Sequence, residues 1–272
     1  MLRNTAMSTD DAVVLFDVGA GQAKGSREFQ EDRCTIVRPE QFPAETNEKL
    51  VFLAIYDGHG SGLVAEHASK RLHNLLSKRP EFEKGDYVAA IKGALADEDA
   101  LLLESFKNDS TEPAISGSTA ARRLTEAHKP ETPSERRRIE AAGGEVTMRS
   151  GIARLGDLQY KTPVNETQDT GNMPRERRLS SSSSAVRGDF VSNEPFTSRR
   201  TLKSDGRYLL VIVSDGVSDR TDDVALIQHV MKLAMRGMRA SEIAQEIATN
   251  STRSAKSDNA SCIVAMLDGQ RS

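Results

Sequence analysis

Leu53-Ala54-Ile55-Tyr56-Asp57-Gly58-His59-Gly60 decides how this chain is read. An aliphatic strand delivers a carboxylate at its C-terminal end, and a glycine then lets the backbone turn away. The same device returns late in the chain, where Val211-Ile212-Val213-Ser214 runs into Asp215-Gly216. Two more acidic sites stand just ahead of strand-like runs. Glu31-Asp32 precedes 33–37, and Asp258-Asn259 precedes 261–267. If these strands pair antiparallel, the ends of one set meet the starts of the other. The spacing therefore predicts all of these carboxylates on one rim of one sheet. Clustered carboxylates repel unless cations neutralise them. An all-oxygen donor set suits Mg2+ or Mn2+ rather than Zn2+. Such a rim can hold two ions about 4 Å apart with a bridging water as nucleophile.

Taken singly, each element has a plainer reading. Asp-Gly after a strand is more often a simple turn, and Asp258-Asn259 is a turn signal too. Arg27, four residues before Glu31, can hold a phosphate with paired N–H donors or can bridge a nearby carboxylate. His59 can protonate a leaving oxygen, although a loop histidine is more often an ordinary surface residue. The joint occurrence is what carries weight.

Working outward, strand-like runs fall at 13–16, 33–37, 50–56, 208–213 and 261–267. A helical stripe covers 61–78, with Leu63, Val64, Ala68, Leu72, Leu75 and Leu76 inward. A second covers 87–107, with Val88, Ile91, Leu95, Leu102 and Phe106 inward. A short polar helix is expected at 133–142, closed by Gly143-Gly144, and a helix pair at 222–235 and 240–249. Between 108 and 206 no strong apolar run occurs. Residues 162–200 are rich in Ser and Arg and read as a mobile insertion, with Arg177-Arg178-Leu179-Ser180 as a candidate basophilic-kinase site. The expectation is a single domain over 1–272, with a flexible N-terminus at 1–11.

Bulk properties exclude several classes. The 272 residues carry 37 Lys and Arg against 40 Asp and Glu, a net charge of −3. That balance gives no reason to expect nucleic-acid or membrane binding. The two cysteines, Cys34 and Cys262, sit in apolar runs and read as buried structural thiols rather than a disulfide framework or a phosphatase nucleophile. Residues 1–11 have no apolar core of a signal peptide, and no run reaches the ~20 apolar residues of a membrane span. A cytoplasmic monomer is expected, with the nucleus also open to it. No Gly-x-x-x-x-Gly-Lys-Ser/Thr loop is present, and Asp57 lacks the Asp-x-Asp pattern of an aspartyl-phosphate enzyme.

These residues together resemble a known family. Gly25-Ser26-Arg27 with Gln30-Glu31-Asp32, Tyr56-Asp57-Gly58-His59-Gly60, and Gly117-Ser118-Thr119-Ala120 follow the motifs of the metal-dependent type 2C (PPM) serine/threonine protein phosphatases. So do His128-Lys129-Pro130 with Gly143-Gly144, Ser214-Asp215-Gly216 with Asp219, and Asp258-Asn259, all in the family order. The resemblance implies an α+β fold, a four-layer α-β-β-α sandwich of two antiparallel sheets flanked by helix pairs. It implies hydrolysis of phosphoserine and phosphothreonine in phosphorylated protein substrates. Glu31, Asp57, Asp215 and Asp258, with the carbonyl of Gly58, would hold two Mn2+ or Mg2+ ions. Arg27 would bind the substrate phosphate, His59 would act as general acid, and Asp32 would stand behind the ligands. Water would attack in line, without a phosphoenzyme.

The sequence departs from the family after Ala121. The family continues its Gly-Ser-Thr-Ala strand into a hairpin carrying Asn-x-Gly-Asp-Ser, whereas here Ala120-Ala121 runs directly into Arg122-Arg123-Leu124-Thr125. Arg154-Leu155-Gly156-Asp157 is a compressed version of a later segment. The alternative reading is therefore a catalytically impaired, phosphatase-like binding protein.

Overall fold

The structure, a computed structural model, describes residues 13–43, 49–106, 117–119, 137, 154–156 and 195–269. The helix expected at 133–142 (apart from Arg137), the segment following Ala121 and the Arg177-to-Ser180 site fall outside the described residues, as does nearly all of the Ser/Arg-rich stretch. The chain divides into two units. The first takes in 1–39, 50–55 and 198–272, and the second 40–49 and 56–197.

The first unit is built on a three-stranded antiparallel sheet of order β1-β7-β6. Its strands are β1 (Val13–Ala23), β6 (Arg207–Val213) and β7 (Ala260–Gly269). Pairing along β1 and β7 runs from Val13 opposite Gly269 to Ala23 opposite Ala260, with a bulge between Leu15 and Asp17. The strand β2 (Arg33–Val37) and the start of β3 (Phe52–His59) also belong here. Helices α4 (Asp215–Ser218), α5 (Asp223–Met235) and α6 (Ala240–Ser251) follow β6.

Side chains of β7 alternate between two cores, as strand geometry requires. Cys262 and Val264 join Leu226 and Val230 of α5 and Ile243 and Ile247 of α6. Ile263 and Ala265 join Val18, Ile36, Ile55 and Ile212. Helix α6 lies almost on the backbone of β1. A Cβ added at Gly19 would stand 2.4 Å from Ser241 Cα, and one at Gly21 would stand 2.2 Å from Gln245 N. Asp17, just past the bulge, accepts from Ala240 N–H at 2.8 Å, placing a carboxylate at the N-terminus of α6. The thiols behave as expected of packed groups. Cys262 is buried and Cys34 partly so, and burial pushes each up to about 12.

The second unit holds α1 (Leu63–Ser77), α2 (Pro80–Glu83), α3 (Tyr87–Phe106), β4 (Gly117–Thr119) and β5 (Arg154–Gly156). The end of β3 pairs antiparallel with β4, and β4 with β5. Helix α1 packs on α3; α1 buries Val64, Ala65, Ala68 and Leu72, and α3 buries Ala90, Ala94, Leu95 and Leu102. The expected stripes are shifted here. Leu63, Val88 and Ile91 are exposed, because the inward face uses alanines that let the two helices approach closely.

Two further expectations are corrected. Gly58 does not end its strand; β3 runs on through His59, and the turn comes at Gly60, where φ is +76°. The carboxylate-bearing strands do not form one sheet: β6 and β7 pair with β1, whereas β2 and β3 belong to a separate sheet with β4 and β5.

Candidate functional site

In the first unit the loop before β2 and the loop before β7 meet. Arg27 donates through Nη2 to Asp258 Oδ2 at 2.6 Å. Glu31 N–H donates to Asn259 Oδ1 at 2.8 Å, and Asn259 N–H donates to Asp258 Oδ1 at 2.7 Å. Beneath them, Asp32 is 1% exposed. Its Oδ2 accepts from Ser261 Oγ at 2.7 Å. Gln22 Nε2 donates to the Asp32 carbonyl at 3.2 Å and to Ser261 Oγ at 3.0 Å.

Asp215 arrives from the other side of β7. Ser214 closes β6 with N–H donation to the Ser261 carbonyl at 3.0 Å, and its Oγ accepts from Ser261 N–H at 2.9 Å. The α4 turn then lies against the start of β7, where a Cβ on Gly216 would stand 1.9 Å from the Asn259 carbonyl oxygen.

The electrostatics record how near these groups are. Asp32 is pushed up from 3.8 to about 6, chiefly by burial. Hydrogen bonds from Ser261 and Ser214 pull it down, and the charges of Asp215 and Asp258 push it further up. Arg27, Glu31, Asp32, Asp215 and Asp258 thus all come to one end of the first unit. Asp57, Gly58 and His59 stand in the second, on β3, paired with Thr119, Ser118 and Gly117.

Among the described residues, no group of three or more His, Cys, Asp or Glu is gathered closely enough to hold a metal ion. The donor chemistry nevertheless fits a hard divalent cation. The candidates are all oxygen donors, and such a cation would relieve the repulsion from Asp215 and Asp258 that adds to the effect of burial on Asp32. Sequence reading missed Asn259 as a hydrogen-bonding hub, together with Ser257, Ser261 and Gln22. Polar residues beside a turn gave no signal of their own, and the bonds between Asn259 and Glu31 and between Ser261 and Asp32 span 228 and 229 positions.

Comparison with known proteins matches this arrangement to a family. The Protein phosphatase 2C family model matches residues 16–122 and 120–260, two stretches that meet at 120–122. The chain is similar to Protein phosphatase 2C homolog 2 of Aspergillus flavus, 26% identical over 287 residues, covering 90% of this chain and 60% of that protein. It is similar to Protein phosphatase 2C homolog 3 of Schizosaccharomyces pombe, 25% identical over 289 residues, covering 92% and 64%. It therefore spans less than two thirds of these relatives' length. The fold is similar to that of the serine-threonine phosphatase 2C from Toxoplasma gondii, with a TM-score of 0.69 at 13% identity over 95% of this chain and 99% of that one. Mixed helices and antiparallel sheets of this kind, and a family match running from residue 16 to residue 260, establish that the chain belongs to the protein phosphatase 2C family.

Proposed function

We propose that this chain hydrolyses phosphoserine and phosphothreonine in proteins, in a reaction that requires Mn2+ or Mg2+. One observation carries the reading: Asp215 and Asp258 converge on the buried Asp32, with Arg27 at the same place. Family membership supplies the reaction class. The proposed architecture is the four-layer sandwich of the family, formed by a single domain, with a pair of ions held by Glu31, Asp57, Asp215, Asp258 and the Gly58 carbonyl. When bound, such ions polarise phosphoryl oxygens and lower the pKa of water.

The chain's own residues do the rest. Arg27 exchanges the Asp258 carboxylate for a substrate phosphate, which offers the same paired acceptors. His59 delivers a proton to the leaving serine or threonine oxygen. Asp32, held by Ser261 and Ser214, keeps the ligands in register from behind. A family match in two stretches meeting at 120–122 supports an interrupted family order after Ala121. The non-catalytic alternative finds no support in the comparisons. The test is hydrolysis of p-nitrophenyl phosphate by the purified chain. Mn2+-dependent turnover lost in Asp57→Asn and Asp215→Asn is expected; a folded wild-type protein without turnover contradicts the proposal.

A further inference from the structure

The loop that carries Arg27 is tied down by two residues to which the phosphatase reading gives no task. Asn259 is 5% exposed. Its Oδ1 accepts from Glu31 N–H at 2.8 Å, and its Nδ2 donates to the carbonyls of Lys24 at 2.8 Å and Phe29 at 2.9 Å. One amide thus grips the stretch 24–31 at its start and near its end. Ser257, 3% exposed, grips it in between. Its Oγ accepts from Ser26 N–H at 3.1 Å and donates to the Thr252 carbonyl at 3.1 Å. Ser26 Oγ returns the bond to the Ser257 carbonyl at 2.7 Å.

Apolar burial contributes little here. Phe29 is 67% exposed, and Ser26, Arg27 and Glu28 are exposed as well. Such a loop pays its ordering entropy without a hydrophobic return, so its conformation depends on these hydrogen bonds. The chemistry at 259 is also specific. Two donors and one acceptor are used at once, a set that an amide has and a carboxylate lacks. An Asp at 259 would face two carbonyl oxygens with negative charge.

We propose that Asn259, assisted by Ser257, is a positioning residue that fixes the 24–31 loop so that Arg27 meets the substrate phosphate and Glu31 its cation. The inference rests on the phosphatase reading for its purpose and on the hydrogen bonds for its geometry, so the two are tested separately. The experiment uses the full chain carrying Asn259→Asp, with Ser26→Ala as a milder companion that alters only an exposed loop residue. Amide hydrogen exchange is read first. The amides of Ser26 and Glu31 are expected to exchange about tenfold faster or more in Asn259→Asp, with those of Ile263 and Val264 unchanged. Steady-state kinetics on a phosphothreonine peptide is read second. KM is expected to rise about tenfold while kcat changes less than about threefold. Ser26→Ala moves both readouts in the same direction by a smaller factor, and serves if Asn259→Asp does not fold. Unchanged exchange at Ser26 and Glu31 overturns the clamp, whatever the activity. A loosened loop with unchanged KM overturns the positioning role. Absence of turnover in the wild type defeats the phosphatase reading, and with it the purpose assigned here, while leaving the exchange result to judge the clamp.

Discussion

Arg27 Nη2 stands 2.6 Å from Asp258 Oδ2, joining a residue of the loop before β2 to one 231 positions later. The side chains are 56% and 39% exposed. An ion pair in such a setting is worth at most about 1 kcal/mol. The pair therefore does not hold the fold together. Its interest is that it ties the proposed phosphate ligand to a proposed metal ligand.

Arg27→Ala should then damage function far more than stability. KM for a phosphopeptide is expected to rise about tenfold, a loss of ~1.4 kcal/mol in binding. The melting temperature should move by no more than about 4 °C. Kinetics and thermal denaturation on the same preparation check both halves.

Asp32 sets a pH dependence. Its folded pKa, about 6, lies above its ordinary 3.8 because the carboxyl is buried. The folded state therefore holds the proton more tightly than the unfolded one. Stability from this group is complete below the ordinary value and is lost as pH rises through about 6. In chelator, wild-type stability should fall across that window by up to on the order of 3 kcal/mol, and Asp32→Asn should flatten the slope. Denaturant melts at a series of pH values read this directly.

Cation addition should act in the opposite sense. A divalent ion beside Asp215 and Asp258 favours the ionised form of Asp32. The rise in melting temperature on adding Mn2+ should therefore be larger at about pH 7 than at about pH 5. Equal shifts at both pH values would count against a cation at this place.

Much of this arrangement could be read from sequence, and the failures have physical causes. Apolar runs ending in Asp marked β3 and β6, because a buried strand delivering a carboxylate is a local pattern. β1 was legible only as 13–16, although it runs to Ala23. Gly19 and Gly21, which look like strand breakers, are there because α6 lies against their backbone. Nothing local announces a helix packed from 220 residues away. The split of the carboxylate strands between two sheets was illegible for the same reason: alternation fixes a strand's faces but not its neighbours. Within the site, residue types pointed to oxygen donors, whereas the hub at Asn259 needed the partners of each hydrogen bond.

Gly216 offers a test of the close contact between α4 and the start of β7. Its added Cβ would fall 1.9 Å from a backbone oxygen, which cannot rotate away. Gly216→Ala is expected to cost about 1–3 kcal/mol in urea denaturation and to displace the neighbouring Asp215. A neutral substitution would contradict the described approach.

The second unit carries a buried ion-pair candidate. Glu98 is 0% exposed; its Oε1 lies 2.6 Å from His67 Nδ1, and its buried Oε2 has no hydrogen-bond partner among the described residues. Removing the partner alone should be costly, and removing the charge should not. His67→Ala is expected to destabilise by about 3–5 kcal/mol, and Glu98→Gln to be near neutral or stabilising. Equilibrium unfolding of both variants decides the order.

The central claim meets its most direct test in phosphate release from a phosphothreonine peptide by the purified full chain, with Mn2+ and with EDTA, beside Asp215→Asn. Release with Mn2+ that disappears in EDTA and in Asp215→Asn is the predicted result. A folded wild-type chain that releases no phosphate with Mn2+, or releases it equally in EDTA, would contradict the account.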